Sequence, residues 1–366
     1  MFLAMVSVSI VNVTSYTGLE LLRLLANHPH FRVTSVTGRS AAGQRLGQVF
    51  PQLYALAGGA CQEAARHLAE VQITEEPEAT ELAFVCLPHA AAAEAVQVLL
   101  QRGTRVVDLS ADFRLRDPSL YQEWYKHTHP APALLEQAVY GLCERYRERI
   151  RTTALVANPG CYATAIILAL LPALSAGLVS RDLIVDAKSG VSGAGRGLRL
   201  DTHYAEANED LSAYSLGGHR HLPEIVQELE AAARAAGQSY EPGLRLTFVP
   251  HLAPMTRGIL ATCYAELRPV SSGRLPDRAE IQAIYRDYYA DEPFVHVIDQ
   301  PPHTKWTYGS NHCLLYVTLD ERSGRLLVLA CLDNLVKGAA GQALQNANCM
   351  FGFDERTGLQ VGAVYP

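Results

Sequence analysis

No run of about 18 consecutive apolar residues occurs in this chain, so no segment has the length of a membrane-spanning helix. The N-terminal stretch Met1–Val13 lacks both a basic leader and a small-residue cleavage site, and it reads as a buried first strand. Cysteines stand singly at 61, 86, 143, 161, 263, 313, 331 and 349, without a CxxC pair; this fits neither a zinc site nor a disulfide framework and points to a reducing cytoplasm. An excess of one charge sign is also missing. With 31 basic against 37 acidic residues the net charge is −6, which argues against a nucleic-acid or membrane-surface partner and leaves any anionic substrate to be held by local groups. Repeats and low-complexity tracts are absent.

What is present is a chain of 366 residues, 49% hydrophobic and 19% charged, long enough for two domains. The first half alternates apolar runs with helical patterns: strands at Val6–Val13 and Phe31–Thr37 flank a helix at Leu19–Asn27. Strands at Leu82–Leu87 and Arg105–Leu109 likewise flank a helix at Ala90–Arg102. This is the pattern of βαβ units and a doubly wound parallel sheet. After Ala154 the texture changes. A strand leads through the turn Asn158-Pro159-Gly160-Cys161 into an apolar helix at Tyr162–Leu171. Strands follow at Leu183–Ser189, Leu244–Pro250, Ile259–Leu267, Leu314–Leu319 and Leu326–Leu332, with helices at Leu222–Ala236 and Pro276–Tyr289, an α+β mixture. The expected division is 1–157 for the nucleotide-binding domain and 158–333 for the second domain. A C-terminal part, 334–366, holds a small-residue helix at Asn334–Phe351 returning to the first domain.

The turn after the first strand, Asn12-Val13-Thr14-Ser15-Tyr16-Thr17-Gly18, sits where a dinucleotide fold directs backbone amides at a pyrophosphate. A full fingerprint would have glycine at 12, 15 and 18, and only Gly18 remains. Asn12 tolerates left-handed backbone angles, whereas Ser15 brings a side chain to a point of close phosphate approach. Thr14, Ser15, Tyr16, Thr17 and Gly18 are the candidate cofactor residues there. The second strand ends in Gly38-Arg39-Ser40 without an acidic partner for a ribose hydroxyl, so Arg39 and Ser40 favour the 2′-phosphate of NADP(H) over NAD; the alternative is a solvated loop arginine.

Cys161 opens a helix, where free N–H groups and the helix dipole favour a thiolate and offer donors to an oxyanion. Cys86, Cys263 and Cys331 lie within apolar strands and read as small buried hydrophobes. Gly217-Gly218-His219-Arg220-His221-Leu222-Pro223-Glu224 supplies an acid/base pair, His219 preferred over His221; no cysteine or carboxylate set accompanies it at metal-ligand spacing. Two loops after strands have anion-binding composition: Ser110-Ala111-Asp112-Phe113-Arg114, and Lys188-Ser189-Gly190-Val191-Ser192-Gly193-Ala194-Gly195-Arg196. Arg257 is a further candidate for a substrate carboxylate.

Taken in order, NPGCYAT, KSGVSGAGR, GHRHLPEI, PHLAPMTRGI and DNLVKGAAGQALQ resemble the signature segments of N-acetyl-γ-glutamyl-phosphate reductases, and the resemblance runs from the first strand to Phe351. It implies a Rossmann-type α/β NADP-binding domain and an α+β catalytic and dimerisation domain with a mixed sheet, like that of aspartate-semialdehyde dehydrogenases. It implies a homodimer or homotetramer, reduction of a small acyl phosphate to an aldehyde with Cys161 as nucleophile, and an acid/base at His219 or His221. Pro88, Ser192, Gly193 and Asn334 join the cofactor residues on this basis; Asn158 and Glu224 join Ser110, Arg114 and Arg257 as substrate residues. Lysine-pathway relatives acting on a carrier-protein substrate resemble the chain less, lacking the SGVSGAGR segment. A cysteine hydrolase or acyltransferase, or a non-catalytic paralogue, are the competing readings; the first leaves the βαβ start idle, and the second leaves an intact Cys161 and His219 unexplained.

Overall fold

Short runs of Val, Ile, Leu and Phe between turns are the composition of strands covered on both faces. In the computed structural model, which describes residues 5–56, 62–269 and 273–365, these runs form a parallel sheet. Met1–Ala4 of the expected first strand, and Cys61, lie outside the described residues. The strands are β1 (Val6–Val11), β2 (Phe31–Thr37), β3 (Ile73–Thr74), β4 (Leu82–Val85), β5 (Arg105–Asp108), β6 (Val139–Tyr140) and β7 (Leu155–Ala157). Between them run α1 (Tyr16–Leu25), α2 (Leu46–Val49), α3 (Gln62–Glu70), α4 (Ala93–Gln101), α5 (Pro118–Tyr125) and α6 (Cys143–Thr152).

The sheet order is β3-β2-β1-β4-β5-β7-β6, every pair parallel. The chain reverses its winding at β1, so the switch point lies between the carboxyl ends of β1 and β4, where open α/β sheets bind ligands. Two boundaries differ from expectation for local reasons. Helix α1 starts at Tyr16 because Ser15 caps it, its Oγ accepting the Gly18 N–H at 3.0 Å. Helix α4 starts only at Ala93 because Ala90 has a left-handed φ of 63°. Its first N–H groups are met from far along the chain: the buried Asp112 carboxylate accepts from Ala90, Ala92 and Ala93 at 2.8, 3.0 and 3.1 Å.

The second unit is built on α7 (Cys161–Ser175), β8 (Val179–Gly190), α8 (Tyr204–Ala207), β9 (Ser212–Ala213), α9 (Leu222–Ala235), β10 (Arg245–Ala253), β11 (Ile259–Leu267), α10 (Arg278–Tyr288), β12 (Val295–Val297), β13 (Cys313–Asp320) and β14 (Arg325–Leu332). Its mixed sheet has the order β12-β13-β14-β11-β8-β10-β9. Helix α7 packs against β11, β14, α9 and α10 and is buried from Tyr162 to Leu174. An apolar residue at nearly every position is what such burial requires. The sequence pattern stops this helix at Leu171, yet it continues through Pro172 to Ser175. Proline supplies no N–H for the Leu168 carbonyl. The Tyr289 hydroxyl donates to that carbonyl instead at 2.6 Å, and Tyr285 donates to Ala169 O at 2.8 Å.

After β14 the chain makes a π-helical turn at Val336–Ala340 and then α11 (Gly341–Met350), where one uninterrupted helix was expected. The residues up to Pro159 and Ala339–Val361 form the first compact unit; Gly160–Gly338 and the residues after Val361 form the second. Helix α11 thus belongs to the first unit, while Val364 N–H donates to Tyr308 O in the second. No helix among the described residues is long and apolar enough to cross a membrane.

Replacing Tyr289 by Phe leaves the buried Leu168 carbonyl without that donor. The expected loss is about 1 to 3 kcal/mol of unfolding free energy, read by urea denaturation. Unchanged stability would show that Pro172 is accommodated some other way.

Candidate active site

Cys161 is the first residue of α7, after the N-cap Gly160 in extended conformation (φ −71°, ψ 152°), which has no side chain of its own to cap the helix. The first-turn amides of α7 therefore carry the partial positive charge of the helix end beside the thiol. Cys161 is also the one cysteine among the described residues that is not fully buried. Burial pushes the Cys86 and Cys331 thiols up to about 12 and raises Cys263 as well, which fits the reading of all three as packing residues.

A second helix start is brought to the same turn. Glu224, in the first turn of α9 and 1% exposed, accepts the Gly160 N–H at 2.9 Å. His221 immediately precedes α9, and its ring lies so close to Gly160 that a Cβ there would collide with the imidazole. Next in the same turn, His219 Nδ1 accepts the His221 N–H at 3.1 Å, which leaves the proton of a neutral His219 on Nε2. The His219 ring sits edge-on among Tyr162, Tyr214 and Phe248, at centroid distances of 5.6, 5.6 and 5.3 Å. Burial there, with the Arg220 charge adding to it, holds the His219 imidazole down at about 4. Tyr162 is fixed in turn by donating to His251 O at 3.0 Å.

The π-helical turn forms another wall. A Cβ on Gly338 would stand 2.7 Å from Cys161 Cβ, so only glycine permits this approach. The turn is pinned by Asp333, fully buried, whose carboxylate accepts from Leu335 and Val336 at 2.8 and 3.2 Å and from Gly309 at 2.7 Å. Arg257 reaches the same carboxylate at 3.5 Å and stays partly exposed. The neighbouring Asn334 accepts the Gly258 N–H at 2.8 Å and donates to Ser192 Oγ at 2.9 Å, tying the Ser192-Gly193 loop to this turn. Cys161, His219, His221, Glu224, Ser192, Gly193, Asn334 and Arg257 thus all belong to the second unit.

Two family models match this chain: the NAD-binding domain of semialdehyde dehydrogenases over residues 7–153, and the semialdehyde dehydrogenase dimerisation domain over 161–334. An N-acetyl-gamma-glutamyl-phosphate reductase of Dehalococcoides mccartyi (strain CBDB1) is 50% identical over 359 residues, 98% of each chain. The chain belongs to the N-acetyl-gamma-glutamyl-phosphate reductase family. A second member, from Desulforudis audaxviator, is 47% identical over 365 residues, covering 99% of this chain and all of the relative. Among solved structures, aspartate semialdehyde dehydrogenase II of Vibrio cholerae has a TM-score of 0.67 at 16% identity, covering 95% of this chain and 98% of its own. The Candida albicans aspartate semialdehyde dehydrogenase with NADP has a TM-score of 0.67 at 14%, covering 95% and 99%; these two likenesses concern the fold.

The nucleotide turn of this reductase-family chain fits a dinucleotide despite its altered fingerprint. Asn12 takes the left-handed φ of 65° that the first glycine would, and its Nδ2 donates to Cys86 O at 2.8 Å, joining the carboxyl ends of β1 and β4. Ser15, at the point of close phosphate approach, has its Oγ turned inward, accepting from Gly18 and donating to Asn12 O, each at 3.0 Å. Gly18 is irreplaceable in space, since a Cβ would lie 2.8 Å from Val13 Cα. Thr14 and Thr17 are half-buried, and Tyr16, Arg39, Ser40 and Pro88 are at least partly exposed at the same carboxyl edge of the sheet.

Four of the residues expected to touch substrate are buried and hydrogen-bonded within the protein. Ser110, 1% exposed, donates to Asp108 Oδ2 at 2.7 Å and accepts from Asp112 N at 3.0 Å. Arg114, 5% exposed, donates to the Asn158 and Leu109 carbonyls at 2.8 and 3.0 Å. Asn158 accepts from Asn346 Nδ2 at 3.0 Å and donates to Ala339 O at 3.1 Å, and Glu224 holds Gly160. Asp333 and Gly338 were not foreseen as site residues. The segment DNLVKG held the only signal, an acidic residue and a glycine around a strand end.

Glu224→Ala strips the Gly160 N–H of a buried acceptor and is expected to cost about 1 to 3 kcal/mol of stability. Glu224→Gln keeps an acceptor and loses distinctly less. Equal losses in chemical denaturation would mean that this hydrogen bond does not hold the turn.

Proposed function

We propose that this chain reduces N-acetyl-γ-glutamyl phosphate to N-acetyl-glutamate 5-semialdehyde with NADPH and releases phosphate, a step of arginine biosynthesis carried out in the cytoplasm by a homodimer or homotetramer. The observation that carries this reading is Cys161, partly exposed at the start of α7, with the His221 ring packed on the residue before it. Family membership supplies the substrate class.

The Cys161 thiolate attacks the γ-carbonyl carbon, the carbon–oxygen bond to phosphate breaks, and a thioester remains on Cys161. First-turn amides of α7 stabilise the oxyanion of this step, and again that of the reductive step, at about 3 to 4 kcal/mol per donor. NADPH, when bound, supplies the hydride that reduces the thioester carbonyl. Cys161 then leaves as thiolate, and His221, the ring beside its turn, gives the departing phosphate the one proton that the net reaction consumes and is reprotonated from solvent. His219, neutral above about pH 5, donates nothing in this scheme; it orients His221 through the backbone and the aromatic walls. Arg257, the one substrate-residue candidate that keeps an exposed face, holds the substrate's anionic end. Thr14, Ser15, Tyr16, Thr17 and Gly18 present the start of α1 to the pyrophosphate, Arg39 and Ser40 take the 2′-phosphate and Pro88 joins them; in the second unit Ser192, Gly193 and Asn334 are the cofactor candidates.

The test is NADP⁺ reduction in the reverse direction, with N-acetyl-glutamate semialdehyde and phosphate, followed by nicotinamide absorbance. Turnover should depend on phosphate, accept arsenate in its place, and fall at least about 10³-fold in Cys161→Ser. Phosphate-independent turnover, or an active Cys161→Ser, would refute the thioester route.

The two histidines separate by pH. His221→Asn is expected to lower kcat/KM by about 10²-fold or more and to change the profile between pH 5 and 9. His219→Asn should lower the rate without moving that profile, because burial keeps His219 uncharged across the range. A profile that moves only in His219→Asn would reverse the assignment.

A further inference from the structure

Two thiols outside the candidate site face each other inside the first unit. Cys143 opens α6 and Cys349 lies near the end of α11; both are buried, and their sulfurs are 3.8 Å apart. A disulfide needs an S–S separation of about 2.05 Å, within reach of side-chain rotation when the sulfurs already touch across two packed helices. Glu355 completes a grouping that a soft metal could use. That carboxylate is already committed, paired with the Arg147 guanidinium and accepting from Gln345 Nε2 at 2.9 Å, so a cation would meet a positive charge there.

Cys143 also begins a line of hydrogen bonds. Its S–H donates to Asn346 Oδ1 at 3.1 Å; Asn346 Nδ2 donates to Gly141 O at 2.8 Å and to Asn158 Oδ1 at 3.0 Å. Asn158 is the first residue of the turn that leads by Pro159 and Gly160 into Cys161. A disulfide sulfur has no proton to donate, so oxidation removes the first link of this line.

We infer that Cys143 and Cys349 form a modification site that closes to a disulfide with a small-molecule disulfide as oxidant, and that closure loosens the Asn346–Asn158 anchor. One thiol, as thiolate, attacks the oxidant and expels one small thiolate; the second displaces the other. The oxidant gains two electrons, and the protons of both cysteines end on the two released small thiols. Burial holds the Cys143 thiol well above its ordinary range, so the exchange proceeds at the rate at which the end of α11 opens. The crosslink is independent of the reaction proposed above; its effect on turnover rests on that reading.

The full-length Cys161→Ser protein, incubated with glutathione disulfide and then unfolded in an alkylating reagent, tests the site. Two thiols should escape alkylation, peptide mapping should join Cys143 to Cys349, and dithiothreitol should restore both. The same treatment of Cys161→Ser/Cys349→Ala should leave no protected pair. Full alkylation, or a crosslink between other cysteines, overturns the proposal. Hydrogen exchange reads the coupling without any assay of turnover: protection around residues 141 and 158 should fall several-fold on oxidation of the Cys161→Ser protein and stay constant when Cys349→Ala is added. Adding Cys143→Ser instead, which retains a hydroxyl donor for Asn346, should also stay constant. Unchanged protection in the crosslinked protein would overturn the coupling.

Discussion

One hydrogen bond, from the Gly160 N–H to the buried Glu224 carboxylate, joins the start of α7 to the start of α9. Two helix N-termini share this negative charge, the placement in which a buried carboxylate is best stabilised by backbone dipoles. The arrangement of the site follows from it. Cys161 is the next residue along α7, and His221 is delivered by the residues that lead into α9. His219, two positions earlier, is clasped by the His221 N–H and by Tyr162, itself the second residue of α7. A thiol and two imidazoles are thus fixed by a few residues at the tips of two buried helices. Their rotamers are set by packing, which suits a site that must hold its geometry before substrate arrives.

The same economy appears wherever a functional turn needs support: the supporting group is polar, buried and remote in sequence. Asp112 caps α4 from across the loop; Asp333 pins the π-helical turn that glycine lets approach Cys161; Tyr289 restores the carbonyl that Pro172 leaves open. Helix α11 is the extreme case, with Gln342, Gln345, Asn346 and Asn348 all fully buried. Buried polar groups of this kind stabilise only when fully paired, so each defines one arrangement of the backbone and penalises the others.

This remoteness also decides what could be read from the sequence. Local patterns were sufficient for the strand limits of β2 and β11, for the helix at Cys161, and for the doubly wound start, because alternation, apolar runs and turn residues act over a few positions. The mixed sheet of the second unit followed from the family resemblance. The buried partners of Ser110, Arg114, Asn158 and Glu224 were not legible. Serine, asparagine, arginine and glutamate beside turns have the composition of an anion site and equally that of a scaffold for buried backbone groups, and only the three-dimensional partners distinguish the two. Nor was the inward turn of the Ser15 side chain, which caps α1, legible.

The central claim is that the helix-start thiol of Cys161 carries the substrate's acyl group. Mixing the protein with N-acetyl-γ-glutamyl phosphate in the absence of NADPH, quenching in acid and determining intact and peptide masses tests it directly. The account predicts a hydroxylamine-sensitive acyl adduct confined to the Cys161 peptide. An unmodified Cys161, or an acyl group found stably on another residue, would contradict it.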